Sequence, residues 1–313
     1  MADHGMATDI AAQAVTAAVP LVLAGCGELV AERSGTLNIG IEGLMLAGCC
    51  AGFAAVACGA PPWLGLTAAV AAGMALAGLF ALATVWGRAD GIVAGMAINL
   101  IAAGGSGAAY QLLQSHQRDQ LAPGQGFARS GLPGLGHALD GVPLLGPVLG
   151  DQYLLAYVAM ALVGALAWAL RRTRAGLIVR ALGDAPDACA AAGVRVRVWR
   201  GGCLLFAGAC AGAAGAYLSI MRTHSFVPLM TGGQGFVVLA LVIFGRWRLS
   251  GLVLGCLAFG ALDSLQQHLQ GLGLNAVVPY QLFKALPFVV ALAALAIMAR
   301  SAAGPRELGR SWG

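Results

Sequence analysis

Two stretches of this chain put polar and ionisable residues where the flanking sequence is apolar. The first is Gly27-Glu28-Leu29-Val30-Ala31-Glu32-Arg33-Ser34-Gly35-Thr36-Leu37-Asn38-Ile39-Gly40-Ile41-Glu42-Gly43. Its carboxylates, arginine and asparagine can relay protons, pair with a cation or hydrogen-bond a polar solute. Ionisable groups at membrane depth are costly, so they face a bundle interior, a water-filled cavity or one another. The glycines allow the backbone to bend here. Glu32 and Arg33 read as solvated residues of a cytoplasmic turn. Asn38 and Glu42 read as groups inside the bundle, structural or lining a pathway.

The second stretch is Ile178-Val179-Arg180-Ala181-Leu182-Gly183-Asp184-Ala185-Pro186-Asp187-Ala188-Cys189-Ala190-Ala191-Ala192-Gly193-Val194. It predicts a short helix with Asp184 as N-cap. Pro186 falls in the first turn, where a missing N–H costs little. Asp187 complements the helix dipole, and Gly193 is the C-terminal stop. Such a helix is either an amphipathic connector or a mechanical lever.

Enzyme chemistry has no footing here. GxxxxGK[ST], HExxH and GxSxG are absent. The histidines are scattered, and the cysteines form no CxxC or Cys/His metal spacing. No catalytic residue, metal or cofactor is expected, and if ATP drives this protein another chain must hydrolyse it. Polar side chains in apolar runs remain as solute contacts: Asn99, Gln111, Ser225, Phe226, Asp263 and Gln266. They can hydrogen-bond or stack on a ligand, or equally bond a neighbouring helix. Asp263 needs a partner, and Lys284 in the next apolar segment is one.

The elements that position these residues are membrane helices. The chain has 313 residues, 59% hydrophobic and only 10% charged, against about 25% charged in a soluble domain. Its 47 glycines lie mostly in apolar runs. Gly48/Gly52, Gly91/Gly95, Gly208/Gly212 and Gly251/Gly255 have the spacing that lets membrane helices approach closely. Apolar segments recur at 10–31, 37–59, 62–86, 91–113, 151–170, 201–220, 234–246, 249–269 and 281–299. The segment 234–246 is short and 37–59 opens on polar residues, so either can be a broken or re-entrant helix. The fold class is all-α: one membrane domain over 1–313, a bundle of about eight to ten spans at roughly 20 residues each, with a cytoplasmic helix in the loop 171–200.

Net charge is +5, carried by arginines between apolar segments. That is topology, not nucleic-acid binding. The arginine-rich 171–200 loop and the tail with Arg300, Arg306 and Arg310 are placed in the cytoplasm with Arg88, Arg246 and Arg248. The Gly/Pro-rich stretch 114–150 is then an external loop.

These stretches resemble the permeases of bacterial ABC importers for nucleosides and simple sugars. The branch is the shorter of two paired permeases in purine-nucleoside, basic-membrane-protein type systems. Glu32-Arg33-Ser34-Gly35, Leu37-Asn38-Ile39-Gly40 and Glu42-Gly43 are similar to its N-terminal signature. Arg180-Ala181-Leu182-Gly183-Asp184, Pro186 and Ala191-Ala192-Gly193-Val194 are similar to its cytoplasmic loop. Ser225-Phe226-Val227-Pro228, Met230-Thr231, Gly235-Phe236 and Ile243-Phe244-Gly245 supply a later match. The resemblance implies that Arg180, Gly183, Asp184, Pro186, Asp187 and Gly193 belong to a coupling helix docking on a separate cytoplasmic ATPase subunit. It also implies a second, related permease and an extracytoplasmic substrate-binding lipoprotein, in the inner (plasma) membrane. Asp187-Ala188-Cys189 departs from the usual Glu-Ala-Ala type run, which shortens the acidic side chain. A nucleoside is the expected solute, a pentose or simple sugar the alternative. An ion-coupled transporter using Asp263, Glu42 and Glu28 as a relay is a further reading.

Overall fold

The structure is a computed structural model that describes residues 6–115, 127, 150, 152–271 and 304–309. The apolar segment 281–299, with Lys284, and most of the stretch 114–150 lie outside the described residues. Helices α1 (Met6–Arg33), α2 (Ile41–Ala57), α3 (Pro62–Ala81) and α4 (Gly91–Ser115) come first. They are followed by α5 (Leu154–Arg172), α6 (Arg174–Asp184), α7 (Pro186–Ala191), α8 (Val196–Ala216), α9 (Gln234–Phe244) and α10 (Leu249–Gly271). Two helices run on into a π-helical turn, α3 through Leu82–Trp86 and α8 through Tyr217–Arg222.

Among the described residues, six helices are long and apolar enough to cross a membrane: α1, α3 with its π turn, α4, α5, α8 with its π turn, and α10. The chain is a polytopic helical membrane protein. Trp63 and Trp86 bracket the α3 span and are 59% and 46% exposed. They are 23 positions apart, which at 1.5 Å per residue is about 34 Å, close to the thickness of the hydrocarbon layer. That spacing suits the two interfacial levels where amphipathic rings settle.

The core is built around α1, which is buried over nearly all of 14–32 and apolar around its circumference there except for Thr16, Glu28 and Glu32, as a helix enclosed by its neighbours must largely be. It packs against α8, α10, α9 and α5. Helices α2, α3 and α8 meet through glycines. A Cβ on Gly73 would stand 2.2 Å from the Gly208 carbonyl oxygen, and one on Gly48 2.5 Å from that of Gly212. Lipid tails are as apolar as leucine, so close backbone packing is what holds such helices together.

The two segments read as broken are the short ones. Helix α2 begins only at Ile41, after a non-helical run over 36–40, and α9 has 11 residues. At 1.5 Å per residue α9 is about 16 Å long, roughly half the hydrocarbon thickness. Gly35 ends α1 at φ +91°. Its N–H bonds the Glu32 carbonyl (2.9 Å) and the Thr36 N–H bonds that of Ala31 (3.2 Å). This is the paired closure that a left-handed glycine permits at a helix end.

The 178–194 stretch folds differently from the prediction in one respect. Asp184 is not an N-cap; it is the last residue of α6, and the break falls at Ala185 (φ −153°, ψ 72°). A residue before proline is pushed out of the helical region by the proline ring. Pro186 does occupy the first position of α7, and Gly193 (φ +83°) follows its C-terminus. The Gly193 N–H bonds the Ala190 carbonyl and that of Val194 bonds Cys189. The side-chain cap belongs to Thr173, whose hydroxyl accepts from the Gly176 N–H at 3.2 Å.

Candidate functional site: a polar seam and an arginine-rich face

The polar groups of residues 27–43 form a seam through the bundle. Glu28 and Asn38 are buried, and the Asn38 amide donates to Glu28 Oε2 at 3.0 Å. Glu32 overturns the expectation of a solvated turn. It is fully buried and accepts the Trp247 indole N–H at 2.5 Å. Arg33 Nε donates to the Trp247 carbonyl at 2.8 Å. The turn that carries Trp247 holds it at φ +53°, beside Arg246 at φ +54°. For a bulky residue this conformation persists only where the surroundings impose it, and here both polar ends of Trp247 are bound to α1.

Glu42 joins the two short helices. Its Oε1 accepts the Thr231 hydroxyl (2.6 Å) and the Gly233 N–H (2.8 Å), and its Oε2 accepts the Gly235 N–H (2.7 Å). The first N–H groups of a helix have no partner within it. A carboxylate from α2 therefore supplies what α9 lacks, in the orientation that the helix dipole favours. Asn99 of α4 completes the junction: its side-chain oxygen accepts the Gly43 N–H (2.8 Å) and its amide donates to the Ile39 carbonyl (3.0 Å). Asn38, Glu42 and Asn99 thus cluster around the non-helical lead into α2. Sequence reasoning missed Thr231 as the partner of Glu42 and Trp247 as the partner of Glu32 and Arg33. Their signals were a threonine just ahead of a short apolar helix and a tryptophan set between arginines.

The other predicted solute contacts lie elsewhere. Phe226 is fully buried, its ring 6.1 Å from Phe53 and 6.2 Å from Tyr110, centroid to centroid. Ser225 is half-buried, and its carbonyl accepts the Thr223 hydroxyl. Gln111 is exposed on α4 and Gln266 is buried on α10. Asp263 pairs with Arg222 at 3.3 Å, and Gln267 donates to the same oxygen at 2.8 Å. The anticipated partner, Lys284, lies outside the described residues; Arg222 is a partner to which residue order gave no pointer. Both members of the pair are about a quarter exposed. Where that exposed part faces water, as it would on a solute path, such a pair contributes little, about 0–1 kcal/mol. Asp263→Asn is therefore expected to leave thermal stability in detergent nearly unchanged. A large loss of uptake in that variant, with the melting point intact, would assign Asp263 to the solute path.

At the arginine-rich end, α6 and α7 are anchored to α1 and to the tail. Gly183 packs so closely that a Cβ there would be 2.3 Å from the Arg33 carbonyl oxygen. The Gly183 carbonyl accepts the Glu307 N–H (3.0 Å), and the Gly35 carbonyl accepts that of Gly309 (3.1 Å). Arg200, buried at the start of α8, donates to the Ser34 carbonyl (3.1 Å) and the Leu182 carbonyl (3.4 Å). Arg180 donates back to the Gly176 carbonyl along α6. Pro186 and Cys189 face inward, whereas Asp184, Asp187, Ala188, Ala191 and Gly193 are exposed. The result is a short helix fixed from behind, with a face of small residues and two carboxylates turned outward.

Spanning helices around a buried polar seam are the architecture of a polytopic membrane protein. Residues 10–295 match the family described as branched-chain amino acid transport system / permease component. The chain belongs to this family and is an ABC transporter permease. It is 34% identical over 83% of its length to a Haloferax volcanii protein assigned as a glucose ABC transporter permease, covering 77% of that protein. It is 31% identical to the guanosine ABC transporter permease of Bacillus subtilis, over 93% of this chain and 92% of the relative. It is 29% identical to a nucleoside ABC transporter permease of Lactococcus lactis, over 96% and 95%. No solved structure matches it.

Proposed function

We propose that this chain is the permease of an importer for nucleosides, working in a bacterial inner membrane. The observation that carries this reading is similarity along more than nine-tenths of the length of both the guanosine and the nucleoside permeases. Helices α6 and α7 are the docking element for a separate ATPase subunit, on the cytoplasmic side. Arg180, Gly183, Asp184, Pro186, Asp187 and Gly193 shape it. A second, related permease completes the pathway, and a substrate-binding lipoprotein delivers solute from outside. ATP binding by the partner moves the α6–α7 unit. The bonds from Gly183, Arg200 and the 304–309 segment carry that motion to the end of α1, and so to the seam of Asn38, Glu42 and Asn99. Ser225, Phe226, Asp263 and Gln266 line the route taken by the solute.

A second reading, import of a simple sugar, rests on the glucose-assigned relative, which has the highest identity of the three. Uptake of labelled guanosine separates the two. Deleting this chain is expected to abolish uptake, with unlabelled nucleosides competing and glucose and ribose not. Competition by the sugars alone, or unchanged guanosine uptake, overturns the nucleoside assignment.

A further inference from the structure

Two adjoining clefts open at the arginine-rich end, between α5, α6, the 245–248 turn and the start of α10. The smaller, about 340 Å³, is lined by Arg33, Arg180, Asp184, Arg246 and Arg248 around Trp247, with Gly304 and Pro305. The larger, about 720 Å³, shares Arg33, Arg180, Trp247 and Arg248 and adds Arg171. Its remaining wall is mostly apolar, formed by residues such as Val163 and Ala167 of α5 and Val253 and Leu254 of α10. Leu254 is 68% exposed.

The charge is not balanced by the cleft itself. Arg180 and Arg248 both act electrostatically on Arg33, and Asp184 is the nearby carboxylate that opposes them. Four guanidinium groups thus stand against one carboxylate among the described residues lining the smaller cleft. Guanidinium groups grouped in this way match phosphate, which they bind through paired N–H donors. The apolar wall continues from the arginines along two membrane-spanning helices. A small anion would leave that wall unused, whereas a molecule with a phosphate head and hydrocarbon tails would fill both parts. Basic pockets between spanning helices on the cytoplasmic side are suited to anionic headgroups.

We propose that this double cleft binds an anionic glycerophospholipid, its phosphate among Arg33, Arg180, Arg246 and Arg248 and its acyl chains along α5 and α10. The site is independent of which solute is carried. Its floor is Trp247, which is bonded to Glu32 and Arg33. A bound headgroup therefore steadies the turn that holds the end of α1.

The test is native mass spectrometry of the full-length chain after stepwise delipidation, offered phosphatidylglycerol or phosphatidylcholine with identical acyl chains. Preferential retention of phosphatidylglycerol, about tenfold or more, is expected. The double variant Arg246→Gln/Arg248→Gln is expected to bring it down to the phosphatidylcholine level. A second variant, Val253→Trp, obstructs the apolar wall without touching charge and is expected to lower retention of both lipids. Equal retention of the two lipids by the unaltered chain overturns the proposal. So does full displacement by soluble glycerol phosphate, which would mark a small-anion site. Unchanged lipid retention in the double variant, together with lost association with the ATPase subunit, would reassign the arginines to an acidic protein surface.

Discussion

Replacing Glu42 by alanine is expected to abolish uptake and to lower the melting point of the solubilised protein by the largest margin of any single polar substitution. The carboxylate accepts three hydrogen bonds, two of them from the opening turn of α9 and one from Thr231. Bonds to an ionised acceptor contribute about 1.5–3 kcal/mol each, and donors left buried without partners add a penalty of their own. Even a net loss of about 3 kcal/mol shifts the equilibrium holding the junction roughly a hundredfold. Glu42→Gln should fall between the two. Its one carbonyl can replace Oε1, but its amide then opposes the Gly235 N–H, donor against donor. Melting points in detergent, with uptake in parallel, check the order: unaltered, glutamine, alanine. If glutamine matches the unaltered protein in both, the charge at the start of α9 is irrelevant and the junction is not what holds the two short helices.

The second large effect is expected at Gly183. A valine there puts Cβ 2.3 Å from the Arg33 carbonyl oxygen and 3.1 Å from the Pro305 Cβ, so the end of α6 must lift away from α1. Overpacking of this kind costs about 1–3 kcal/mol. It also pulls on the Glu307 bond to Gly183 and the Arg200 bond to Leu182. In proteoliposomes containing the ATPase partner, Gly183→Val is expected to leave ATP hydrolysis running while uptake is lost. Gly193→Ala is the control. Gly193 is at φ +83°, and a Cβ there would meet nothing within 4 Å, so alanine adds about 1 kcal/mol of local strain and leaves the brace untouched. Unchanged uptake in Gly183→Val would remove α6–α7 from the proposed transmission path. Loss of hydrolysis and uptake together, with the protein still inserted, would mean that docking rather than transmission was broken.

Much of this architecture is legible from residue order. The charge deficit and the recurring apolar segments require spanning helices. Asn38 and Glu42 at the head of one segment, and the shortness of another, mark the two apolar helices that are the shortest. Pro186 and Gly193 mark the ends of the surface helix. Asp184 misleads because a capping residue type outweighs, in local pattern, the proline two positions later. The pre-proline restriction alone points to Ala185. Glu32 misleads for a deeper reason. Its partner Trp247 is 215 residues away, and local pattern holds no information on a pairing at that separation. For the same reason Asn99 stands out as a polar residue in an apolar helix, but not as the bridge between Ile39 and Gly43.

The shortness of α9 has a mechanical consequence. One end lies at the Arg246–Arg248 turn and the other at Glu42, with about 16 Å of hydrogen-bonded helix between them. A helix of that length is stiff along its axis, so in the proposed coupling α9 would serve as a push-rod. In the proposed coupling, a displacement imposed at the arginine-rich face would reach the Glu42 junction through α9 without a full-length span having to bend. The stroke at the seam would then follow the stroke at the surface, and a transporter geared in this way trades amplification for fidelity.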